Sequence, residues 1–356
     1  MLYTPKRPAR DLPPVRVNLY SDTQTKPSAA MKDAMMRAEV GDEQHGDDPT
    51  VHELCDRMTA LLGKQAAVFL PSGTMCNQIA IRTHCQSGDE VLAHETAHII
   101  QNEGGGVGAL TGALVLGLRG ERGQFDAETV RQSLRERRRN IPTQRLVAVE
   151  QTANTGGGSV WPLDKLNAVL DTAHEHGLST HMDGARLMNA VVASGVPASE
   201  MVAGCDSVWV DFTKGLGAPL GAVLCGSDDF IDTAWRWKQR LGGSLRQAGV
   251  CAAACIYALD HNVDRLADDH ANAKTLARGL SQIPGFAVEE PETNLVFFDT
   301  SGAGITADKL ADTVRREGIM LSTTGRYRVR ACTHLDVDRA GIETAIQVIR
   351  QCVGRH

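Results

Sequence analysis

The strongest constraint on the fold of this chain is a series of seven short, mostly apolar runs separated by helical patterns. Each run is four or five residues long and is bounded by glycine or polar residues, as buried strands of a largely parallel sheet are. Helical patterns such as residues 162–176 lie between several runs, so we expect crossover helices and an α/β fold. The predicted strands are 66–70, 90–93, 113–116, 145–149, 178–182, 207–210 and 221–225.

The pattern changes near residue 264, and this change indicates a second domain. A long helical pattern, an apolar run and two further helices follow, a composition typical of a smaller α+β domain. A chain of 356 residues with 42% hydrophobic content is long enough to bury two cores. We therefore expect an N-terminal arm at 1–28, a large domain with a mostly parallel seven-stranded sheet at 29–262, and a small C-terminal domain at 263–356.

Composition argues against several classes of protein. The formal net charge of −6 gives no basic footprint for nucleic acid. No stretch of about 20 apolar residues could cross a bilayer, and the N-terminus lacks an apolar signal core. Nine cysteines without C-x-x-C spacing are typical of reduced thiols, so we expect a cytoplasmic protein. The one basic run, 135–139, is predicted to end an exposed helix.

A lysine that follows a predicted strand is the first candidate for chemistry. Lys214 comes soon after the strand 207–210 and directly before the glycine-rich segment 215–221, so the backbone around its amine is open. An amine in such a place can receive a bulky aldehyde and form an imine. The alternative is a surface lysine in a β-turn, which is the commoner situation for a lysine.

An aspartate at the end of another predicted strand is the second candidate. Asp183 follows the apolar strand 178–182, and the carboxyl ends of strands are where α/β sheets bind ligands. A carboxylate there can keep a pyridine nitrogen protonated, and a protonated ring stabilises a carbanion. The alternative is that Asp183 caps the helix that follows.

A turn between a strand and a helix is the third candidate. The strand 66–70 leads through Pro71 into Ser72, Gly73 and Thr74, which open a helical pattern. Free backbone N–H groups and hydroxyls at a helix start can bind a phosphate group. An ordinary capped helix is the alternative.

Taken together, the motifs of this chain resemble the low-specificity L-threonine aldolase family, over residues 17 to 348. The motifs are N-L-Y-S-D-T-Q-T-K-P at 18–27, V-G-D-E-Q-H-G-D-D-P-T-V at 40–51, P-S-G-T-M at 71–75, the histidine at 98 with E-G-G at 103–105, H-M-D-G-A-R at 181–186, T-K-G-L-G-A-P-L-G at 213–221 and T-H-L-D-V at 333–337.

The resemblance implies a pyridoxal 5'-phosphate (PLP) enzyme of the aspartate aminotransferase fold, fold type I. It would be a carbon–carbon lyase that splits L-3-hydroxy-α-amino acids into glycine and an aldehyde. By the same resemblance, Lys214 would form the Schiff base, Asp183 would hold the pyridine nitrogen, and His98 would lie over the ring as a candidate base. The remaining cofactor-binding residues would be Ser72, Gly73, Thr74, Thr213, Arg186 and Arg246, the last as a phosphate-reaching arginine.

The resemblance also implies a substrate site and an assembly. Ser21, Arg186 and Arg330 would bind the substrate carboxylate, because guanidinium groups suit an anion with two oxygens. Enzymes of this fold build the active site between subunits, so we expect a homodimer or homotetramer. The loop around Arg246 and the segment 43–48 would come from the neighbouring subunit.

Two positions depart from the family pattern. The family's second active-site histidine, in E-N-T-H-N, is replaced by Ala153 in E-Q-T-A-N at 150–154. His45 stands where the family commonly has tyrosine, and it titrates near neutral pH. We expect these changes to enlarge one side of the pocket and to move its acid–base group, so that side chains bulkier than that of threonine fit, as in 3-phenylserine.

Other functions are also compatible with parts of the sequence. Within the same fold, a transaldolase or a β-eliminating lyase is an alternative. A remote alternative is a zinc metallopeptidase, because His94, Glu95 and His98 match H-E-x-x-H. That signature requires one continuous helix, whereas here it follows a strand and runs towards glycines, so we expect no metal site.

Overall fold

The computed structural model describes residues 12–354, so the first eleven residues of the predicted arm lie outside the described part. The chain divides into two compact units. One unit is Thr25–Ala267, and the other contains the described residues up to Gln24 and from Asp268 onward. The boundary at Ala267 falls in the first turn of a helix.

The secondary structure alternates strands and helices over most of the chain. The strands are β1 Val17–Asn18, β2 Ala66–Leu70, β3 Glu90–His94, β4 Leu114–Leu118, β5 Gln144–Glu150, β6 Ser179–Gly184, β7 Ser207–Asp211, β8 Ala222–Gly226, β9 Ala287–Val288, β10 Leu295–Asp299, β11 Ile319–Met320, β12 Ser322–Thr323 and β13 Arg328–Cys332. The α-helices are α1 Ala29–Met36, α2 Pro49–Leu62, α3 Gly73–His84, α4 His98–Gln101, α5 Ala127–Ser133, α6 Leu163–Glu175, α7 Leu187–Ser194, α8 Ala198–Met201, α9 Asp228–Arg240, α10 Gly249–His261, α11 Leu266–Ser281, α12 Ala307–Arg316 and α13 Arg339–Val353. Short 3-10 helices include Glu43–His45.

The larger unit is built on a seven-stranded sheet. Its strand order is β2-β8-β7-β6-β5-β3-β4, and every neighbouring pair is parallel except the two pairs that β8 makes. The strands β3, β7 and β8 are buried along their whole length, as central strands covered on both faces are. The predicted α/β fold with a mostly parallel seven-stranded sheet is confirmed.

The register of the central strands positions the polar residues at their carboxyl ends. In the pairing of β5 with β6, Glu150 is the partner of Asp183, and in the pairing of β6 with β7, Asp183 is the partner of Trp209. Parallel strands end at the same edge of the sheet, which is where such sheets bind ligands. Three side chains from three strands are therefore brought to one place.

The smaller unit contains an antiparallel sheet of order β12-β13-β10-β9 and a two-stranded parallel ladder of β1 with β11. The amphipathic helices α12 and α13 bury Leu310, Val314, Ile342 and Ile349 in a core of this unit. The pairing of Val17 with Ile319 places the start of the described chain in this unit.

One prediction about the surface is wrong. The basic run 135–139 does not end a helix, because α5 stops at Ser133 and Leu134 is already extended. The backbone N–H of Arg135 donates to Gln144, and its guanidinium pairs with Glu90 at 3.1 Å. These two contacts hold the chain against the sheet, so it does not continue as a helix.

Among the described residues, the helices are all too short or too polar to span a bilayer.

Candidate active site

Lys214 lies just beyond the carboxyl end of β7. Its Nζ makes an ion pair with Asp211, the last residue of that strand, and lies 5.7 Å from the ring centre of Trp209. Asp211 also accepts hydrogen bonds from the backbone N–H and the hydroxyl of Thr213, at 2.8 and 2.7 Å. The side chain of Lys214 is 18% exposed, so its amine is reachable while it is held by a buried carboxylate.

Asp183 is a buried carboxylate at the carboxyl end of β6. Its Oδ2 accepts a hydrogen bond of 2.7 Å from Asn77, and its Oδ1 accepts one of 3.0 Å from the backbone N–H of Ala185. The alternative interpretation as a helix cap does not hold, because Arg186 is the cap residue of α7.

Trp209 links Asp183 to Lys214. The indole N–H of Trp209 donates to Oδ1 of Asn77 at 2.7 Å, and the amide nitrogen of Asn77 donates to Asp183. Lys214 approaches the same indole ring. The two side chains that the sequence predicts as cofactor partners therefore lie around one tryptophan.

His98 begins the short helix α4 and faces the same carboxylates. Its Nδ1 lies 2.8 Å from Oε1 of Glu103, and its backbone N–H donates to Glu150 at 2.7 Å. One ring nitrogen of His98 and one carboxylate oxygen each of Glu103 and Asp183 lie within 4.8 Å of one another. Glu103 is fixed in turn by Asn77 at 2.7 Å and Gln78 at 2.5 Å.

This arrangement shifts the pKa of two groups. Burial, followed by the charge of Glu150, raises the pKa of Asp183 to about 7. Burial lowers the pKa of His98, but the hydrogen bond with Glu103 and the charge of Asp183 outweigh it, so the pKa of His98 is raised above its ordinary value. A buried acid in a cluster of carboxylates needs a cation beside it to stay ionised at neutral pH.

The predicted phosphate site lies at the start of α3. Ser72 caps this helix by accepting a hydrogen bond from the backbone N–H of Met75, and Ser72 and Thr74 are exposed. A Cβ built on Gly73 would lie 2.1 Å from the indole ring of Trp209. Glycine is therefore required here, because any side chain would displace the tryptophan that links Lys214 and Asp183.

The other predicted residues of the larger unit lie in two places. Arg186 is buried and its backbone N–H donates to Gln151 at 3.0 Å. His45 ends the 3-10 helix Glu43–His45 and is exposed. Arg246 is also exposed, and its guanidinium lies 2.9 Å from Asp42, which caps that helix. His45 and Arg246 thus share one exposed surface.

The remaining predicted substrate residues belong to the smaller unit. Ser21 is buried, and its hydroxyl oxygen accepts hydrogen bonds from the backbone N–H and the hydroxyl of Thr23. Arg330 lies on β13, and its guanidinium donates to the backbone carbonyl of Tyr20 at 3.3 Å. Their predicted contact with a substrate carboxylate stays a prediction.

Ala153 lies beside a small cavity. It is buried and lines a cavity of about 10 Å³ together with His94, Phe125, Glu150 and Trp161. The rings of Phe125 and Trp161 meet edge to face at 5.3 Å, filling space around this residue. About 10 Å³ holds roughly one water molecule. The replacement of histidine by alanine thus leaves a small void here, and the larger pocket expected from this substitution stays a prediction.

The H-E-x-x-H signature does not have the geometry of a zinc peptidase. His94 ends the strand β3, whereas His98 begins α4, so the two histidines do not share a helix. The Nδ1 of His94 accepts a hydrogen bond from the backbone N–H of Thr96, and its Nε2 donates to the carbonyl of Gly120 at 3.1 Å. Both ring nitrogens therefore have protein partners.

Four residues near the centre of the site were not assigned roles from the sequence: Asn77, Glu103, Trp209 and Asp211. A signal existed for two of them. Trp209 lies on the predicted strand 207–210 and Asp211 directly follows it, two residues further on, so an extended backbone would point both side chains to the same face of the sheet. Asn77 and Glu103 gave no such signal, because their contacts depend on how α3 packs on the sheet.

Comparison with known proteins places the chain in a family. A family model described as beta-eliminating lyase matches residues 18–303. Low-specificity L-threonine aldolase 1 of Arabidopsis thaliana is 38% identical over 344 residues, covering 95% of this chain and 96% of the relative. The low specificity L-threonine aldolase of Escherichia coli (strain K12) is 38% identical over 324 residues, covering 91% and 95%. The chain belongs to the beta-eliminating lyase family and, within it, to the low-specificity L-threonine aldolases.

Solved structures show the same fold. A threonine aldolase from Leishmania major superposes with a TM-score of 0.82 at 20% identity, covering 95% of this chain and 99% of that one. An SPT structure with PLP has a TM-score of 0.70 at 18% identity, covering 96% and 88%. The aspartate aminotransferase from Rhizobium meliloti has a TM-score of 0.69 at 14% identity, covering 96% and 92%. The predicted family, the fold type I architecture and the class of PLP-dependent lyase are confirmed.

Proposed function

We propose that this chain cleaves L-3-hydroxy-α-amino acids between Cα and Cβ, yielding glycine and an aldehyde, with PLP held by Lys214 and Asp183. The observation that supports this most directly is the placement of those two side chains around Trp209. Relatives that cover nearly the whole chain are L-threonine aldolases. The substrates that we propose are threonine, allo-threonine and 3-phenylserine.

The residues at this edge of the sheet fit the cofactor. The Asp183 carboxylate, whose pKa is raised by burial, matches a protonated ring nitrogen, whose positive charge would favour the ionised carboxylate. The amine of Lys214 is available for an aldehyde, and the start of α3 offers hydroxyls and backbone N–H groups to a phosphate. When bound, PLP supplies an aldehyde for the amine and a ring that withdraws electrons from the breaking bond.

The chain's own residues would hold both partners. Ser72, Gly73 and Thr74 would bind the phosphate, with Thr213 and Arg246 completing the cofactor site. Arg186 would bind the substrate carboxylate, which orients the bond between Cα and Cβ.

His98 is the residue that we propose as the base for the β-hydroxyl proton. Its Nδ1 faces the Glu103 carboxylate, so Nδ1 carries hydrogen and Nε2 is left to accept a proton. The hydrogen bond with Glu103 raises the pKa of His98 and makes Nε2 a stronger base. Ala153 cannot take this role, and His45 is the second candidate.

A substrate panel tests this function. Purified holoenzyme is incubated with L-threonine, L-allo-threonine and L-3-phenylserine while glycine and aldehyde are measured. Equimolar glycine and aldehyde are expected. Ammonia with a keto acid would instead show β-elimination and contradict the proposal. Adding a second aldehyde to the mixture identifies a transaldolase by a new 3-hydroxy-α-amino acid.

We also propose a homodimer or homotetramer with shared sites. In support, the loop that carries Arg246 and the turn that carries His45 are joined and exposed: the backbone N–H of Glu43 donates to the carbonyl of Arg246 at 2.9 Å. Complementation tests the sharing. When Lys214→Ala and Arg246→Ala variants are mixed and re-assembled, random dimers should regain about a quarter of the wild-type activity. No recovery from re-assembled mixtures would contradict shared sites.

A reducing, cytoplasmic location is the remaining part of the proposal. All nine cysteines lie in the described part of the chain, where none of them forms a disulfide and seven of them are buried. Disulfides form in oxidising compartments, so this pattern supports a compartment that keeps thiols reduced. Fractionation of cells that produce the protein at its natural level would test it.

A further inference from the structure

A chain of buried polar side chains runs from Asp183 towards the far end of α3. Asn77 donates to Asp183, and its Oδ1 lies 3.2 Å from Nε2 of His181. The Nδ1 of His181 lies 2.8 Å from the hydroxyl of Ser207, and that hydroxyl lies 2.8 Å from Nε2 of His84. Asn77, His181 and Ser207 are at most 1% exposed, whereas His84 is only partly buried.

The fold explains why these residues meet. His181 and Asp183 are two apart on β6, so they point to the same face of the sheet, and Ser207 is the partner of His181 on β7. Asn77 and His84 are seven apart on α3, so they lie on one face of that helix, two turns apart. The helix packs over both strands.

The orientation of Asn77 is determined from two sides. Its nitrogen lies 2.7 Å from a carboxylate oxygen of Asp183 and 2.7 Å from one of Glu103, and carboxylates only accept hydrogen bonds. Its oxygen faces the indole N–H of Trp209, which only donates. Exchanging the amide nitrogen and oxygen would break all three bonds.

The direction of every other bond follows from that orientation. Oδ1 of Asn77 can only accept, so Nε2 of His181 carries a hydrogen. Burial lowers the pKa of His181 to about 3, so the ring is neutral and its Nδ1 must accept from the hydroxyl of Ser207. Since Ser207 has one hydrogen, its oxygen accepts from Nε2 of His84, whose pKa burial lowers to about 4.

We propose that His84, Ser207, His181 and Asn77 are positioning residues that form a one-directional hydrogen-bond chain, in which every donor points towards Asp183 and favours the ionised form of its carboxylate. The inference rests on the proposed role of Asp183 as partner of the cofactor's ring nitrogen. Hydrogen bonds in a row polarise one another in a low-dielectric interior, so a donor far along the chain strengthens the last bond. Asp183 needs this stabilisation of its ionised form, because the charges of Glu103 and Glu150 nearby oppose its ionisation.

The outer end of the chain allows a test at its least buried member, His84. His84 is at the last turn of α3, where its ring stacks on Phe230 at 4.8 Å. His84→Leu removes the terminal donor, whereas His84→Gln keeps an amide N–H close to the position of Nε2. Ser207→Ala cuts the chain in the middle, and Asn77→Ala removes the bond to Asp183 itself. Ser194→Ala, which changes a serine outside the chain, is the matched control.

The measurements are the ¹⁵N resonance of the cofactor's ring nitrogen in holoenzyme carrying ¹⁵N-labelled PLP, and the dissociation constant for PLP. Asn77→Ala should weaken PLP binding by roughly 10- to 100-fold, because a bond to a charged group is lost. Ser207→Ala should weaken it by roughly threefold to tenfold. His84→Leu should move the ring resonance towards the unprotonated value, and His84→Gln should restore it. Histidine-labelled wild-type holoenzyme should show neutral His84 and His181 with hydrogen on Nε2.

Three results would overturn the chain. One is a His181 with hydrogen on Nδ1, and another is a wild-type ring resonance in both His84→Leu and Ser207→Ala. The third is an equal shift of the ring resonance in His84→Leu and His84→Gln. This comparison uses only variants of His84, so it can be made even if Ser207→Ala or Asn77→Ala fails to fold. Asp183→Asn separates this inference from the proposed function. If that variant leaves the ring resonance unchanged, the role of Asp183 itself is wrong.

Discussion

Glu103 accepts hydrogen bonds on one oxygen from both His98, at 2.8 Å, and Asn77, at 2.7 Å. A single carboxylate thus joins the proposed base to the amide that holds Asp183. The charge on Glu103 favours protonated His98 but opposes the ionisation of Asp183. A substitution of Glu103 should therefore change the ionisation of both His98 and Asp183.

Glu103→Gln should lower the pKa of His98. The substitution removes the negative charge that favours the imidazolium form, while Gln can still accept from Nδ1. The acidic limb of the profile of kcat/KM against pH should move to lower pH, and kcat should fall because Nε2 becomes a weaker base. An unchanged acidic limb would show that the titration of His98 does not determine this limb, which contradicts its role as the base. His45→Gln would then be the next variant to measure.

Lys214→Ala should abolish covalent attachment of the cofactor. Borohydride reduction of the wild-type holoenzyme should fix PLP to a peptide that contains Lys214, and the variant should yield none. Its kcat should fall by roughly a thousandfold or more, as expected when a covalent catalytic group is removed. Lys309→Ala, an exposed lysine on α12, is the control and should behave as wild type. A variant that retains PLP through borohydride treatment would contradict the assignment.

The stability of the cofactor-free protein should fall as the pH rises from about 4 to about 7. In this window folded Asp183, with its pKa of about 7, holds a proton that the unfolded chain has released. Stability falls with pH wherever the native state binds more protons than the unfolded state. The urea midpoint of apo Asp183→Asn should therefore exceed that of the apo wild type at pH 8, and the difference should shrink towards pH 4. Parallel curves for the two proteins would refute this account.

Gly73→Ala should damage both folding and cofactor binding. The added Cβ would overlap the ring of Trp209, so the helix start or the indole must move. Such overpacking costs about 1 to 3 kcal/mol, measurable as a lower free energy of unfolding, with weaker PLP binding besides. Gly108→Ala is the matched control, because its Cβ would meet no atom within 4 Å. Equal behaviour of the two variants would mean that the contact with Trp209 is unimportant.

Ala153→His should not rescue activity towards threonine. The cavity at Ala153 is small, about 10 Å³, and the backbone of Gly123 lies so close that a Cβ built on it would be 2.6 Å from that of Ala153, so an imidazole ring would have to displace packed groups. We expect a loss of about 1 to 3 kcal/mol of stability and no gain in kcat/KM, checked by thermal unfolding and by the threonine assay. A stable variant with faster threonine cleavage would show that Phe125 and Trp161 make room.

The sheet could be predicted from the sequence because its strands are short apolar runs with clear ends. For example, the sequence predicts strands at 66–70 and 207–210, and the structure has Ala66–Leu70 and Ser207–Asp211. Lys214 and Asp183 were found by the same logic, since each follows such a run. Their chemical roles stay predictions.

The hydrogen-bond network could not be predicted, because it depends on register and helix packing. Asn77 meets Asp183 and Trp209 only through the pairing of β6 with β7 and the position of α3 above them. The error at 135–139 has the same origin. Local helix propensity there is overridden by the contact of Arg135 with Glu90, a residue 45 positions away in the chain.

The position of β2 at the edge of the large sheet affects the order in which the protein can fold during synthesis. This strand leads into Ser72, yet its one neighbour in the described sheet is β8, which ends at Gly226. A nascent chain therefore exposes an unpaired β2 until more than 150 further residues have left the ribosome, and contacts of such long range form slowly. Binding of the cofactor at the phosphate site that we propose at the start of α3 should consequently be a late event, and chains truncated before β8 should aggregate rather than bind PLP.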